Sequence, residues 1–204
     1  DWSSDVCSSD LAVGTFCIGT DQVDLTKARE LGVPVFNSPY SNTRSVAELM
    51  IAEIIALSRQ VVERSHELHQ GLWKKTAKDC HEVRGKVLGI IGYGHIGSQL
   101  SIMAESIGLN VVFFDIEKKL PLGNAVPLTS MQDVLRVADF VSLHVPDTEL
   151  TRNMMTAENI RQMKKGSFLL NASRGKVVDV PALVAALKEK HLLGAAIDVF
   201  PYEP

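Results

Sequence analysis

Cysteine and long apolar runs are both scarce in this 204-residue sequence. Its three cysteines, Cys7, Cys17 and Cys80, form no C-x-x-C pair. This odd number and spacing argue against a disulfide framework and against a zinc site, so we expect a reducing compartment and no bound metal. No apolar run approaches the roughly eighteen residues of a membrane span, and no basic region followed by an apolar one opens the chain. We therefore expect a cytoplasmic protein without a membrane partner.

An excess of charge of either sign is also missing. The formal net charge is −3, and Lys and Arg nowhere cluster in alternation with aromatic residues. Such a chain has no basic surface for a polyanion, so we expect no nucleic-acid partner. With 46% hydrophobic and 22% charged residues, the composition is that of a globular protein with one good core and part of another.

The most informative stretch begins with Val87 to Ile91, a short apolar run that predicts a strand buried on both faces. It leads into G-Y-G-H-I-G, a G-x-G-x-x-G pattern at a predicted strand-to-helix turn. Gly92 permits the tight turn, Gly94 lets the backbone approach a pyrophosphate, and Gly97 lets the helix pack closely on the strand. The helix N-terminus is then placed to hold phosphates.

An acidic residue completes this dinucleotide fingerprint. A second predicted strand, Asn110 to Phe114, leads into Asp115 about twenty residues after the glycines. The Asp115 carboxylate is placed to accept hydrogen bonds from the adenosine ribose and to repel a 2′-phosphate. The sequence therefore predicts NAD rather than NADP as cofactor, by about 2 kcal/mol. The alternative is a tight βα turn in another doubly wound fold.

Helical and strand patterns continue to alternate to the end of the chain. Helices are predicted at Met131 to Ala138, Ala157 to Met163 and Pro181 to Lys190, and strands at Phe140 to Val145, Phe168 to Ala172 and Leu193 to Val199. This alternation predicts an α/β fold, a Rossmann-type doubly wound parallel sheet with five strands from Val87 onward.

The N-terminal third reads differently. Residues 1–10 have no periodicity and are interpreted as a foreign head. A strand at Leu11 to Ile18, a helix at Leu25 to Leu31 and a strand at Val33 to Asn37 predict the tail of a small βαβ unit.

One long helix is then predicted to follow. Ser45 and Glu48 have capping-box spacing, and apolar residues continue to about Gly71. Some 26 helical residues would be about 39 Å long, with apolar positions too widely spread for one stripe. We expect this helix to be buried against a neighbouring domain and a second subunit; the alternative is a plain intradomain helix.

Ligands of open parallel sheets bind beyond the carboxyl ends of the strands, so the residues that follow each strand are the candidate site. Besides the glycine loop and Asp115 these are His144, Val145, Ala172, Ser173, Arg174 and Asp198.

Each of these candidates has a functional and a structural interpretation. Arg174 can form a bidentate pair with a substrate carboxylate, or it is a surface ion-pair residue. Asp198 can hold the nicotinamide carboxamide, or it is a turn residue. His144 can line the cofactor pocket or be a hydrogen-bonded structural histidine. Glu203, in a Pro-bounded loop, reads on its own as a surface acid.

The chain resembles the D-isomer-specific 2-hydroxyacid dehydrogenases in five motifs: G-Y-G-H-I-G, F-F-D, S-L-H-V-P, N-A-S-R-G-K-V-V-D and A-A-I-D-V-F-P-Y-E-P. Two further stretches, G-T-F-C-I-G-T-D-Q-V-D-L and F-N-S-P-Y-S-N-T-R-S-V-A-E, are similar to the bacterial phosphoglycerate dehydrogenases of that family. The resemblance implies NAD-linked oxidation of 3-phospho-D-glycerate to 3-phosphohydroxypyruvate in serine biosynthesis, by a dimer or tetramer. Glycerate, lactate or glyoxylate remain alternative substrates, and an NAD-sensing corepressor remains an alternative role.

The resemblance also implies roles for single residues. Arg174 would bind the substrate carboxylate and carbonyl, and Glu203 would hydrogen-bond a catalytic His. The implied cofactor-binding residues are Gly92, Gly94, His95, Ile96, Gly97, Asp115, Val145, Ala172, Ser173, Arg174 and Asp198.

The same resemblance implies how the chain is divided. Residues 11–41 would be the remnant of a flavodoxin-like substrate domain, and residues 42–204 an NAD-binding domain truncated at its C-terminal end. The family's catalytic His lies in a P-H-x-G segment some twenty residues beyond the E-P motif, and this chain stops at Pro204. We therefore expect a fragment that does not turn over by itself.

Overall fold

The computed structural model describes residues 11–20 and 22–202, and the chain divides into two compact units after Ser45. The head at residues 1–10 and the predicted catalytic residue Glu203 both lie outside the described residues, so those two predictions stay predictions.

The first unit contains the small βαβ arrangement that the sequence predicts. Its strands β1 (Val13–Thr15) and β2 (Val35–Asn37) are parallel and flank α1 (Leu25–Glu30). The helix begins after Asp24, whose carboxylate accepts a hydrogen bond from the backbone N–H of Lys27 at 2.9 Å. This side-chain cap satisfies one of the amides that the first turn of a helix leaves unpaired.

Beyond β2, the described part of the chain forms six helices, six strands and a 3₁₀ turn. The helices are α2 (Thr43–Arg59), α3 (Val61–His69), α4 (His95–Ser106), α5 (Met131–Val137), α6 (Ala157–Gln162) and α7 (Val180–Lys188). The strands are β3 (Val87–Ile91), β4 (Asn110–Phe114), β5 (Val126–Pro127), β6 (Phe140–Leu143), β7 (Ser167–Asn171) and β8 (Leu192–Ile197), with a 3₁₀ turn at Gly175–Val177.

The strands from β3 onward form one parallel sheet in the order β5-β4-β3-β6-β7-β8. This is the strand order of a dinucleotide-binding sheet, in which successive strands are added first on one side of β3 and then, from β6 onward, on the other. It confirms the predicted Rossmann-type fold. The predicted number of five strands is wrong, because the sheet has six. The missed strand β5 is a two-residue edge strand that contains Pro127, and so short a segment shows no strand periodicity.

The prediction of a single long helix is also wrong, because the helical segment is divided into α2 and α3 at Gln60. Gln60 has a left-handed φ of 53°, which interrupts the helical hydrogen-bond ladder. The α2 helix buries Met50 and Ile54 in the core, whereas no described side chain of α3 is buried. Burial against a second subunit stays a prediction.

Two apolar clusters lie on the two faces of the sheet. Alternate strand residues such as Ile90 and Phe113 pack with α2 and α4, while their neighbours such as Ile91 and Leu143 pack with α5, α6 and α7. Because side chains of a strand point alternately to its two faces, each strand contributes to both clusters. Across residues 11–20 and 22–202, no helix combines the length and the apolar character needed to cross a bilayer.

Candidate cofactor and substrate site

The strands end in register at one edge of the sheet. Ile91 of β3 lies opposite Phe114 of β4 and Leu143 of β6, and the register continues through Asn171 of β7 to Ile197 of β8. The residues that follow these strand ends are therefore neighbours along this edge, in the order Asp115, Gly92, His144, Ala172 and Asp198. At about 4.8 Å per strand spacing the row spans roughly 19 Å, the scale of an extended dinucleotide.

The glycine loop has three differently constrained positions. Gly92 has a φ of +92°, and a Cβ there would lie 2.3 Å from the carbonyl oxygen of His144. A Cβ on Gly97 would lie 2.3 Å from the carbonyl oxygen of Gly92, so only glycine lets α4 pack this closely. A Cβ on Gly94, by contrast, would meet no protein atom within 4 Å.

This open space lies beside the start of α4, where His95, Ile96 and Gly97 form the first turn. Gly94 is the N-cap residue and offers no side-chain cap to the amides of that turn. Backbone N–H groups and the positive end of the helix dipole favour an anion there. The residues present thus fit the pyrophosphate of a dinucleotide.

The Asp115 carboxylate is held by backbone amides on both sides. One oxygen accepts a hydrogen bond from Tyr93 N–H at 2.7 Å, and the other accepts one from Glu117 N–H at 2.9 Å. These bonds tie the end of β4 to the glycine loop and fix the carboxylate at the edge of the sheet. Each oxygen keeps acceptor capacity for a ribose hydroxyl.

A cleft of about 820 Å³ covers one half of this edge. Of the predicted cofactor residues, Gly92, Gly94, Asp115 and Val145 line it, together with apolar side chains that include Ile116, Met131 and Met154. An apolar pocket that ends at a carboxylate suits an adenosine, with its flat base and hydroxylated ribose. His95, Ile96, Gly97, Ala172, Ser173, Arg174 and Asp198 do not line this cleft.

His144 forms part of the cleft wall as a neutral side chain. Its Nε2 lies 2.8 Å from the hydroxyl of Ser142, while its buried Nδ1 has no hydrogen-bond partner. Burial lowers the pKa of the imidazole from 6.5 to about 4. The structure therefore combines both interpretations of His144, as a lining residue with a structural hydrogen bond.

The loop after β7 is organised by Asn171, which is not among the residues predicted from the sequence. Asn171 is buried, and its side-chain oxygen accepts hydrogen bonds from the backbone N–H of Ser173 at 3.0 Å and from the Ser173 hydroxyl at 2.7 Å. Its Nδ2 donates to the carbonyl oxygen of Arg174 at 3.0 Å. A polar residue that ends a buried strand and precedes a small polar residue by two positions is the available sequence signal for such a turn.

Gly175 brings this loop against the segment after β8. A Cβ at Gly175 would lie 1.9 Å from the carbonyl carbon of Phe200, so any other residue would push the two segments apart. The structure thus places Arg174 beside the chain that follows Asp198. The Arg174 guanidinium also donates to the carbonyl oxygen of Ser173 at 2.8 Å.

Glu53 of α2 is a further titratable residue near the site, and the sequence pattern does not indicate it. One of its carboxylate oxygens is buried without a hydrogen-bond partner. Burial, and then the charge of Asp198, raise the pKa of Glu53 from 4.5 to about 7. Nothing in the periodicity of α2 distinguishes this acid from the exposed ones.

A protein-family model matches residues 51–204 of the chain, and it describes the NAD binding domain of D-isomer specific 2-hydroxyacid dehydrogenases. The chain belongs to the D-isomer-specific 2-hydroxyacid dehydrogenase family. The predicted resemblance is confirmed, and so is NAD as the cofactor of this domain.

Relatives in this dehydrogenase family match nearly the whole chain. The D-3-phosphoglycerate dehydrogenases of Dictyostelium discoideum and Escherichia coli K12 are 59% and 60% identical over 194 residues, which are 95% of this chain and 48% and 47% of those proteins. The crystal structure of an NAD-dependent formate dehydrogenase from Staphylococcus aureus in complex with NAD matches with a TM-score of 0.87 at 31% identity, over 95% of this chain and 59% of that one. The chain thus spans about half the length of the curated relatives it matches.

Proposed function

We propose that the protein carrying this chain oxidises 3-phospho-D-glycerate to 3-phosphohydroxypyruvate with NAD. The observation that carries this substrate is the identity of 59% and 60% with two enzymes named D-3-phosphoglycerate dehydrogenase. Solved structures of D-lactate dehydrogenases and of a glyoxylate reductase also share the fold, at 27–31% identity.

The cofactor site in this proposal follows the edge of the sheet. We assign the adenosine to the cleft with Asp115 and Val145, and the pyrophosphate to the loop and helix start of residues 92–97. The nicotinamide end is assigned to Ala172, Ser173, Arg174 and Asp198. Support comes from the register of the strand ends and from the open space at Gly94.

Arg174 is assigned to the substrate. A guanidinium carries a permanent charge and a planar pair of donors, so it can bind the carboxylate and polarise the adjacent carbonyl oxygen. Asn171 and Gly175 fix the backbone on both sides of it. NAD, when bound, would supply the acceptor for the hydride from the substrate carbon.

Three assignments rest on family membership alone. Glu203 would hold the proton-transferring His through a hydrogen bond. Residues 11–41 would belong to the substrate domain and residues 42–204 to the NAD-binding domain. The whole protein would be a homo-oligomer, which light scattering would measure.

Steady-state kinetics of the complete gene product that contains residues 11–204 test the substrate. We expect kcat/KM for 3-phospho-D-glycerate to exceed that for D-glycerate and D-lactate by at least about a hundredfold, because a site built for a phosphate leaves charged groups unpaired with other acids. A preference for an unphosphorylated acid would refute the proposed substrate.

The same protein tests the role of Arg174. The variant Arg174→Ala should lose about a hundredfold or more in kcat/KM, with NAD affinity changed less than about threefold. The control is Arg161→Ala, which removes an exposed ion pair with Glu189 and should keep the rate. Normal kinetics in Arg174→Ala would exclude the assigned role.

A further inference from the structure

The turn after β4 places a second acid and a lysine beside Asp115. The Glu117 backbone N–H donates to the Asp115 carboxylate at 2.9 Å, and the Glu117 carboxylate accepts a hydrogen bond from the Lys119 ammonium. All three side chains line the 820 Å³ cleft. Two acids and one base, Asp115, Glu117 and Lys119, therefore lie at the rim of the adenosine pocket.

The segment that carries Lys119 is anchored at its far end. The Leu122 N–H donates to the hydroxyl of buried Tyr93 at 3.2 Å, and the Asn124 N–H donates to the Glu105 carboxylate at 2.8 Å. The backbone that carries Lys119 is thus tied down beyond it, and Lys119 lines the cleft.

Lys119 is the better shielded partner of its ion pair, with 34% of its side chain exposed against 71% for Glu117. The hydrogen bond to Glu117 raises the pKa of the Lys119 ammonium, and the negative charge of Asp115 raises it further. The ammonium thus contacts the Glu117 carboxylate and lies within electrostatic range of the Asp115 carboxylate. Among the described residues that line the cleft, Lys119 alone has a Lys or Arg side chain.

A cation in this position bears on cofactor choice. In dinucleotide-binding folds the acid after the second strand receives the ribose hydroxyls, whereas a nearby cationic side chain accommodates a 2′-phosphate. This cleft contains both groups, so Asp115 alone does not settle the preference.

We propose that Glu117 is a specificity-determining residue that engages Lys119 in an ion pair and so withholds it from the 2′-phosphate of NADP. The inference rests on the assignment of the adenosine to this cleft. It adds a second contribution to selectivity, separate from direct repulsion by Asp115.

Competitive displacement of NADH from the 204-residue chain by NAD and by NADP tests the proposal. Glu117→Gln should lower the dissociation constant for NADP about threefold and leave that for NAD unchanged, since exposed ion pairs are weak. The double variant Glu117→Gln, Lys119→Gln should return NADP to its original affinity. The matched control Glu82→Gln removes an equal charge from an exposed residue ahead of β3 and should change neither constant.

The contrary outcomes are distinct. Unchanged NADP affinity in Glu117→Gln would overturn the proposal, and so would a gain that persists in the double variant, because the gain would then come from lost repulsion rather than from Lys119. Failure of the unaltered chain to bind NADH would instead overturn the assigned cofactor site, and this proposal with it.

Discussion

The pKa values of His144 and Glu53 shift in opposite directions because burial disfavours the charged form of each residue. Burial lowers the pKa of His144 from 6.5 to about 4 and raises that of Glu53 from 4.5 to about 7. Both residues are thus favoured in their neutral forms near the cofactor edge.

The two shifts predict opposite pH dependences of stability. With a depressed pKa, His144 contributes stability above pH 6.5 that is lost as the pH falls through 4, by at most about 3 kcal/mol. With a raised pKa, Glu53 contributes stability below pH 4.5 that is lost as the pH rises through 7; because Glu53 is half-exposed, the loss is smaller, about 1 kcal/mol.

Urea unfolding of the chain at several pH values separates the contributions of His144 and Glu53 to stability. In Glu53→Gln the free energy of unfolding should rise more steeply with pH between 4 and 7 than in the unaltered chain. In His144→Gln the rise should disappear and a shallow fall remain. Parallel pH profiles in all three proteins would mean that neither group is shifted in the folded state.

The sequence predicts which residues follow the strands but not what holds them. Asp115 and Arg174 follow from their positions after apolar runs. Glu53 does not, because its shifted pKa depends on burial and on the charge of Asp198, after β8, which only the folded chain brings near it. The hydrogen bonds of Asn171 are local, to Ser173 and Arg174, but they form only in the turn that the chain makes after β7. The ion pair between Glu117 and Lys119 likewise forms only in the turn that follows β4.

At the scale of elements, errors arise where tertiary context overrides a local pattern. Helix periodicity runs without interruption across Gln60, and no Gly or Pro marks the break. In the structure the Gln60 side chain accepts a hydrogen bond from the Arg64 guanidinium at 2.6 Å and donates to the Lys78 carbonyl at 3.4 Å. The periodicity of a helix cannot predict a contact between Gln60 and Lys78, which is eighteen residues away in the sequence.

The packing of α4 on β3 yields an element-scale prediction. In Gly97→Ala the added Cβ would lie 2.3 Å from the Gly92 carbonyl oxygen and 3.0 Å from Ile90, so α4 must move away from the strand. We expect a loss of about 1–3 kcal/mol in the free energy of unfolding, measured in urea. Unchanged stability would show that the helix is not held against the loop at this point.

At the scale of the whole molecule, the alternation of patterns carries most of the fold. Parallel strands joined by helices permit few topologies, and the glycine loop identifies the strand at which the order reverses. The edge strand β5 is not predicted in this way, because its two residues are exposed and too few to show the apolar alternation of a strand. The register that aligns Asp115, Gly92, His144, Ala172 and Asp198 follows from pairing, which the sequence does not show.

The central claim is that this aligned edge binds NAD with its pyrophosphate against the glycine loop. The affinity of Gly94→Ala for NAD, measured by calorimetry beside its urea unfolding, tests it most directly. The new Cβ meets no protein atom within 4 Å, so the free energy of unfolding should change by less than about 1 kcal/mol. The same Cβ would occupy the space of the pyrophosphate, so the dissociation constant for NAD should rise at least about tenfold. A Gly94→Ala chain that binds NAD as tightly as the unaltered one would contradict the account.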